Sequence, residues 1–250
     1  MSKTAFFLIH GAWHWGGCFQ KVADELASAG HPVAMPDLAS HGYNATPWQA
    51  VDSMATYTAP VRALLAQVPK PVILVGHSLG GSVLSYLAAT MPEKIRALVY
   101  LAAFMTPAGK TTNEYSRMAA EDPSCAGFFQ LLSPTADKAG LALDLSRPEL
   151  LHSALYADCS AHDVAVSGRN VIPITSRVPI FHPSEALSGH ERHYIICTQD
   201  QVVPPFLQRR MVADSPGTVV HELPSGHFPF FSMPEALAGV LGRIAGSLGK

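Results

Sequence analysis

Gly76-His77-Ser78-Leu79-Gly80 sets a serine at the apex of a sharp turn. The pentapeptide follows Pro71-Val72-Ile73-Leu74-Val75 and opens a helical stretch from Ser82 to Ala89, giving strand, turn and helix in succession. Such a turn holds Ser78 in a strained backbone conformation with its hydroxyl exposed, and the glycines leave room where neighbouring backbone crowds it. A serine hydroxyl is a poor nucleophile near neutral pH. It becomes a good one when a base takes its proton and a third group orients that base.

Asp200 and His227 are the candidates for those two roles. Asp200 stands directly after the apolar run Tyr194-Ile195-Ile196-Cys197, in the turn Thr198-Gln199-Asp200-Gln201. His227 lies in Pro224-Ser225-Gly226-His227-Phe228, just beyond a strand ending near His221, and the gap between the two has room for one helix and one strand. The order Ser78, Asp200, His227 is the order expected when reactive groups sit on loops at the carboxyl ends of successive parallel strands. Asp200 would fix the tautomer of His227, and His227 would take the Ser78 proton and return it to the leaving group. Glu222 and Asp163 are the alternative acids, the first close to His227 in sequence and the second in an irregular stretch.

Acyl transfer also needs donors aimed at the developing oxyanion. The backbone amide of Leu79, next to the nucleophile, is one. The second is expected from the loop after the first strand, His10-Gly11-Ala12-Trp13-His14-Trp15-Gly16-Gly17, with the Ala12 amide as the candidate. The His10/His14 spacing superficially matches a zinc pair on a helix, but no Glu follows His10 and the stretch is glycine-rich, so no metal is expected. Asp37 reads as a structural turn residue, and the remaining histidines read as surface or satisfied core positions.

The elements that must position these groups alternate in type. Phe6 to Ile9, Pro32 to Met35, Val72 to Val75 and Ile95 to Ala103 read as strands. Helical spacing links Phe19, Val22, Leu26 and Ala29, then Val61, Leu64, Leu65 and Val68. The alternation breaks from 104 to 192 and resumes with His193 to Cys197, a helix around Pro205 to Val212, a strand Thr218 to His221 and a C-terminal helix with Leu237, Val240, Leu241, Ile244 and Leu248 on one face. The pattern predicts an α/β fold, a mostly parallel sheet flanked by helices. The irregular block is too long for a loop. It is expected to be a mostly helical cap at 104–192, inserted into a core formed by 1–103 and 193–250. Trp13, Phe104, Phe128, Phe129 and Phe228 are candidates to line a substrate pocket, along with Met105, Leu131, Leu132, Tyr156 and Phe181 from the insertion. Such a wall favours uncharged esters over phosphorylated substrates.

Bulk properties narrow the function class. The chain has 250 residues, 48% of them hydrophobic and 14% charged, with a net charge of −2. That is a globular composition, with no basic stripe for nucleic acid. No run approaches the ~20 apolar residues of a membrane span. The four cysteines, Cys18, Cys125, Cys159 and Cys197, are scattered and expected to be reduced core thiols. Ala5 to Ile9 is apolar but too short for a signal-peptide core, so a soluble, cytoplasmic protein is expected. No cofactor is implied. Oligomeric state is open, with a homodimer as one candidate.

The segments Leu8-Ile9-His10-Gly11-Ala12-Trp13-His14, Gly76-His77-Ser78-Leu79-Gly80-Gly81, Tyr100-Leu101-Ala102-Ala103-Phe104-Met105 and Cys197-Thr198-Gln199-Asp200 together carry a family resemblance. The chain resembles the α/β-hydrolase branch that holds plant methyl esterases, hydroxynitrile lyases and related bacterial esterases. The likeness covers nearly the whole chain and is weakest in the insertion. It implies an α/β-hydrolase fold, an esterase triad at Ser78, Asp200 and His227, and oxyanion donors at Ala12 and Leu79. The lyases of this branch carry threonine where Gly11 stands, lysine where Phe228 stands and tend to carry glutamate where His77 stands. The methylketone synthases lack the serine. The expected activity is therefore serine carboxylesterase. Hydroxynitrile lyase, lactone or amide hydrolase, and a ligand receptor on the same fold are the alternatives.

Overall fold

The computed structural model describes residues 3–172, 174–176 and 189–248. In chain order, β1 is Phe6–Ile9, α1 Gln20–Ser28, β2 Val33–Ala34, α2 Met54–Gln67, β3 Val72–His77, α3 Gly80–Thr90 and β4 Ile95–Leu101. An intervening segment follows with α4 Thr112–Ala120, α5 Ala126–Phe129, β5 Leu132–Pro134, β6 Gly140–Leu143, α6 Pro148–Leu155, α7 Ala161–Asn170 and β7 Ile174–Ser176. The chain then resumes with β8 Glu191–Cys197, α8 Pro205–Ala213, β9 Thr218–Leu223, α9 Pro229–Ser232 and α10 Pro234–Ser247.

Six strands form one sheet in the order β2-β1-β3-β4-β8-β9, every pairing parallel. Parallel strands need crossover helices, so both faces of the central strands are covered and these strands read as apolar runs. β1 and β3 are buried along their whole length, and β4 is buried except at Arg96. α1 packs on α10 and α2 on α3 beside this sheet. Ser53 caps α2, its hydroxyl accepting from the Thr56 amide at 3.1 Å. That cap starts the helix well before the apolar positions from which its sequence signal comes.

The register brings the carboxyl ends of the strands level. Ile9 of β1 pairs with Gly76 of β3, His77 with Leu101 of β4, and Cys197 of β8 with Leu223 of β9. The loops after β1, β3, β8 and β9 therefore open on one edge of the sheet, the edge where such folds collect reactive groups.

Among the described residues, the intervening segment holds the four helices α4 to α7 and one further feature. β5, β6 and β7 form a separate antiparallel sheet. Its strands have only three or four residues each, too few for alternation to register in the sequence.

Candidate active site

β3 delivers Ser78 into the left-handed region at φ +53°. A non-glycine residue there costs about 1–3 kcal/mol and persists only where its surroundings enforce it. The enforcement is visible. The Ser78 amide donates to Leu101 O at 3.2 Å, and its carbonyl accepts from the Gly81 and Phe104 amides at 3.1 and 3.0 Å. Gly80 lies so close to the end of β1 that a Cβ there would come within 2.8 Å of Ile9 O. Gly11 is equally constrained, since a Cβ on it would stand 2.9 Å from Ser78 Cβ. A threonine at that position would crowd the nucleophile.

Asp200, on the loop after β8, and His227, on the loop after β9, are in direct contact. His227 Nδ1 lies 2.8 Å from Asp200 Oδ2, with both residues buried. The carboxylate accepts only, so Nδ1 carries the proton and the Nε2 lone pair is free. Ser78 and His227 line the same cavity. The Ser78 hydroxyl has no hydrogen-bond partner among the described residues, a looseness common in such sites before substrate binds.

Sequence reading missed the groups that hold this pair. Asp200 Oδ1 accepts from the Val202 and Val203 amides at 2.7 and 3.0 Å. Oδ2 also accepts from the Gln208 amide nitrogen at 3.2 Å. Gln208 on α8 is fully buried, and it also pairs with Cys197 N at 3.0 Å and Val203 O at 2.7 Å. His77 Nε2 donates to the His227 carbonyl at 2.8 Å, and the two rings lie 4.4 Å apart. Burial, then the neighbouring His227 and His14, holds His77 well below the usual histidine pKa, so it stays neutral. From the intervening segment, Asp158 accepts from the Gly226 amide at 2.7 Å.

The candidate oxyanion donors are unoccupied by protein. Neither the Ala12 nor the Leu79 amide donates to a backbone or side-chain group among the described residues, and both residues line the cavity. His10 sets the direction of the Ala12 amide. Leu38 N donates to His10 Nε2 at 3.1 Å, so the proton sits on Nδ1, which donates to Gly11 O at 2.7 Å. In a trans peptide the N–H points opposite to the carbonyl, so fixing Gly11 O aims the Ala12 N–H. Burial and then His41 keep the His10 pKa well below normal. His14 is likewise committed, its Nδ1 to Ala12 O and its Nε2 to Tyr156 Oη. Neither histidine has a nitrogen left for a metal, and no metal-holding group exists among the described residues.

The cavity measures about 390 Å³. Trp13, Phe104, Phe128, Phe129 and Phe228 all line it, as does Leu132. Three expected lining residues do not. Met105 lines a separate cavity of about 180 Å³. Leu131 is buried in the core, and Tyr156 is turned away into its hydrogen bonds. Phe181 lies outside the described residues. Thr112, Asn113 and Ser116 of α4 line the cavity unforeseen, because α4 sits in the stretch whose alternation is lost. No Lys or Arg lines it among the described residues.

The alternative acids are engaged elsewhere. Glu222 pairs with Arg209 at 2.6 Å on the surface, and Asp163 pairs with Lys21 at 2.7 Å at the start of α7. Asp37 holds turns, accepting from the Gly16 amide at 2.7 Å and the Tyr43 amide at 2.8 Å.

Known proteins resemble this chain along nearly its whole length. The chain is 34% identical to a pyrethroid hydrolase of Sphingobium wenxiniae, over 98% of this chain and 89% of that one. It is 31% identical to salicylic acid-binding protein 2 of Nicotiana tabacum, over 96% of each. The crystal structure of a pyrethroid hydrolase from Sphingobium faniae superposes with a TM-score of 0.86 at 33% identity, covering 97% of both chains. Residues 6–240 match the family model described as alpha/beta hydrolase family, a span that contains the Ser78 turn, the parallel sheet and both partner loops, and the chain belongs to that family.

Proposed function

We propose that this α/β hydrolase is a carboxylic ester hydrolase with Ser78 as nucleophile, His227 as base and Asp200 as its orienting acid. The observation that carries the reading is the buried His227–Asp200 hydrogen bond at 2.8 Å beside a strained serine on a shared cavity. Ser78 Oγ attacks the ester carbonyl as His227 Nε2 takes its proton. The oxyanion sits between the Ala12 and Leu79 amides, and Asp200 stabilises the imidazolium. The tetrahedral intermediate collapses, His227 protonates the departing alcohol, and an acyl group remains on Ser78. Water then gives a proton to His227, attacks the acyl carbon and releases the acid as Ser78 regains its proton.

The substrates on this reading are uncharged esters with apolar or aromatic groups. An aromatic cavity of about 390 Å³ without Lys or Arg supports that class. Relatives named as a pyrethroid hydrolase and as methylesterases support it as well. Phe228, packed 4.7 Å from Tyr156 and 4.6 Å from His14, places no cation beside a leaving group, which argues against cyanide release. Residues 104–192 act as the cap on a core of 1–103 and 193–250. Four unpaired, buried thiols support a cytoplasmic location.

The test is hydrolysis of p-nitrophenyl acetate and butyrate by the native chain and Ser78→Ala. The reading predicts turnover by the native chain and a loss of about 10⁴-fold or more in the variant. Equal rates would remove Ser78 from the mechanism. Rapid cyanide release from mandelonitrile would point to the lyase class instead.

A further inference from the structure

Three consecutive peptide planes of the loop after β1 are held through their carbonyls. Gly11 O accepts from His10, Ala12 O lies 3.1 Å from His14 Nδ1, and Trp13 O accepts from the Ile172 amide at 2.8 Å. The first of these partners belongs to the core. The other two depend on the cap. Ile172 follows α7, and His14 is itself gripped by cap side chains, with Nε2 3.0 Å from Tyr156 Oη and Tyr156 Oη 2.7 Å from Ser167 Oγ. Trp13 Nε1 also donates to Leu141 O of β6 at 3.1 Å.

The protons in this chain can be placed by elimination. Ala12 O only accepts, so His14 Nδ1 carries the hydrogen. Its Nε2 is then a lone pair and accepts from Tyr156 O–H. Tyr156 has given its only proton, so it accepts from Ser167 O–H. The order is fixed: Ser167 to Tyr156 to His14 to Ala12 O. Ser167, Tyr156 and His14 are all buried. Burial drives the Tyr156 pKa up and the His14 pKa down to about 4, so neither changes charge near neutral pH.

We propose that Tyr156 and Ser167 are positioning residues for the oxyanion site, acting through His14 to lock the Ala12–Trp13 peptide, the plane joined at the Ala12 Cα to the Gly11–Ala12 plane that carries the Ala12 N–H, so that Ala12 is held from both sides. The inference rests on the reading of the Ala12 amide as an oxyanion donor. Trp13 stands at φ +60°, a conformation its side chain disfavours. Turning the Ala12–Trp13 plane would relieve that strain, and the hydrogen bond from His14 opposes the turn. Without the Tyr156 hydroxyl, the His14 Nε2 lone pair is buried and unpaired. The imidazole can then move its proton to Nε2, leaving two acceptors, Nδ1 and Ala12 O, face to face. The cap therefore does more than roof the cavity. It completes the catalytic loop from outside the core.

Tyr156→Phe removes one oxygen and keeps the ring packed against Phe228, so it isolates the effect. Three quantities would be read. They are kcat and KM for p-nitrophenyl butyrate, the Ki of an aryl trifluoromethyl ketone whose hydrate or hemiketal carries an oxyanion, and the ¹⁵N shifts of the His14 ring nitrogens. The expected result is a kcat lower by about 10- to 100-fold with KM within about twofold, since the lost interaction belongs to the transition state. The ketone should weaken in proportion, and the His14 nitrogens should leave the Nδ1–H pattern. Ser167→Ala should move all three in the same direction by less, and it carries the test if Tyr156→Phe does not fold. A native kcat in the variant overturns the inference whatever the nitrogen shifts do, and so does a loss that appears in KM and melting temperature but not in kcat. If the native chain turns over no ester, the esterase reading fails. The His14 shifts then decide whether the clamp exists, with an unchanged Nδ1–H pattern counting against it.

Discussion

Asp200 has its carboxylate fully engaged inside the protein. Two backbone amides, Gln208 and His227 all donate to it, so the acid cannot rotate away from the imidazole. Gln208 is the side chain that binds this arrangement to α8. Replacing it with Met, similar in volume but apolar, leaves Cys197 N, Val203 O and one Asp200 contact unpaired. Each unpaired buried group costs about 1–3 kcal/mol. We expect Gln208→Met to lower stability by at least about 2 kcal/mol and kcat by about tenfold with little change in KM, read by urea unfolding and p-nitrophenyl butyrate kinetics. Ser78, Asp200 and His227 were legible in the sequence because each follows a strand, in an order the topology explains. Gln208, His77 and His10 were not. Their meaning lies in contacts with residues distant in the chain, and nothing local distinguishes a buried glutamine on α8 from an exposed one.

At the scale of elements, the site is built from loops whose spacing the strand register sets. β1 and β3 lie side by side, which brings the loop after β1, with its proposed oxyanion donor, against the serine turn. Gly80 is where the two touch, since a Cβ there would press on both Ile9 O at 2.8 Å and His10 O at 2.9 Å. Backbone cannot yield as a side chain can, so Gly80→Ala must push β1 and α3 apart. The expected cost is about 1–3 kcal/mol, with a loss of kcat larger than that of thermal stability alone would explain, because the Ala12 amide moves with His10. A variant with native kcat and native melting temperature would show that the contact is soft. The central strands β1, β3 and β4 were readable as apolar runs because both faces of each are covered. The small sheet of β5, β6 and β7 was not, because strands of three or four residues hold too few alternations to be recognised. The start of α2 at Met54 was also hidden, marked only by the Ser53 cap.

The whole molecule carries an unusual density of buried neutral histidine around its cavity. His10, His14 and His77 are buried, and burial lowers the pKa of each, that of His14 to about 4 from the ordinary 6.5. The sign of the consequence follows. An unfolded chain protonates these groups as pH falls through 6.5, while the fold keeps them neutral. Stability is therefore complete above that pH and declines below it, by about 1.4 kcal/mol per pH unit for each such histidine, until the folded pKa is reached. Urea unfolding at pH 8, 7, 6 and 5 should give a plateau followed by a fall. A free energy flat down to pH 5 would contradict it. Composition had already bounded the molecule as globular. The roles of the side chains between β4 and β8 stayed out of reach, since they depend on how an irregular segment folds against the sheet. The most direct test of the central claim is to treat the native protein with a p-nitrophenyl alkylphosphonate and map the adduct by peptide mass spectrometry. The account predicts stoichiometric phosphonylation of Ser78, with labelling slowed by about 10³-fold or more in His227→Ala. Modification at another residue, or labelling of Ser78 at the same rate without His227, would contradict it.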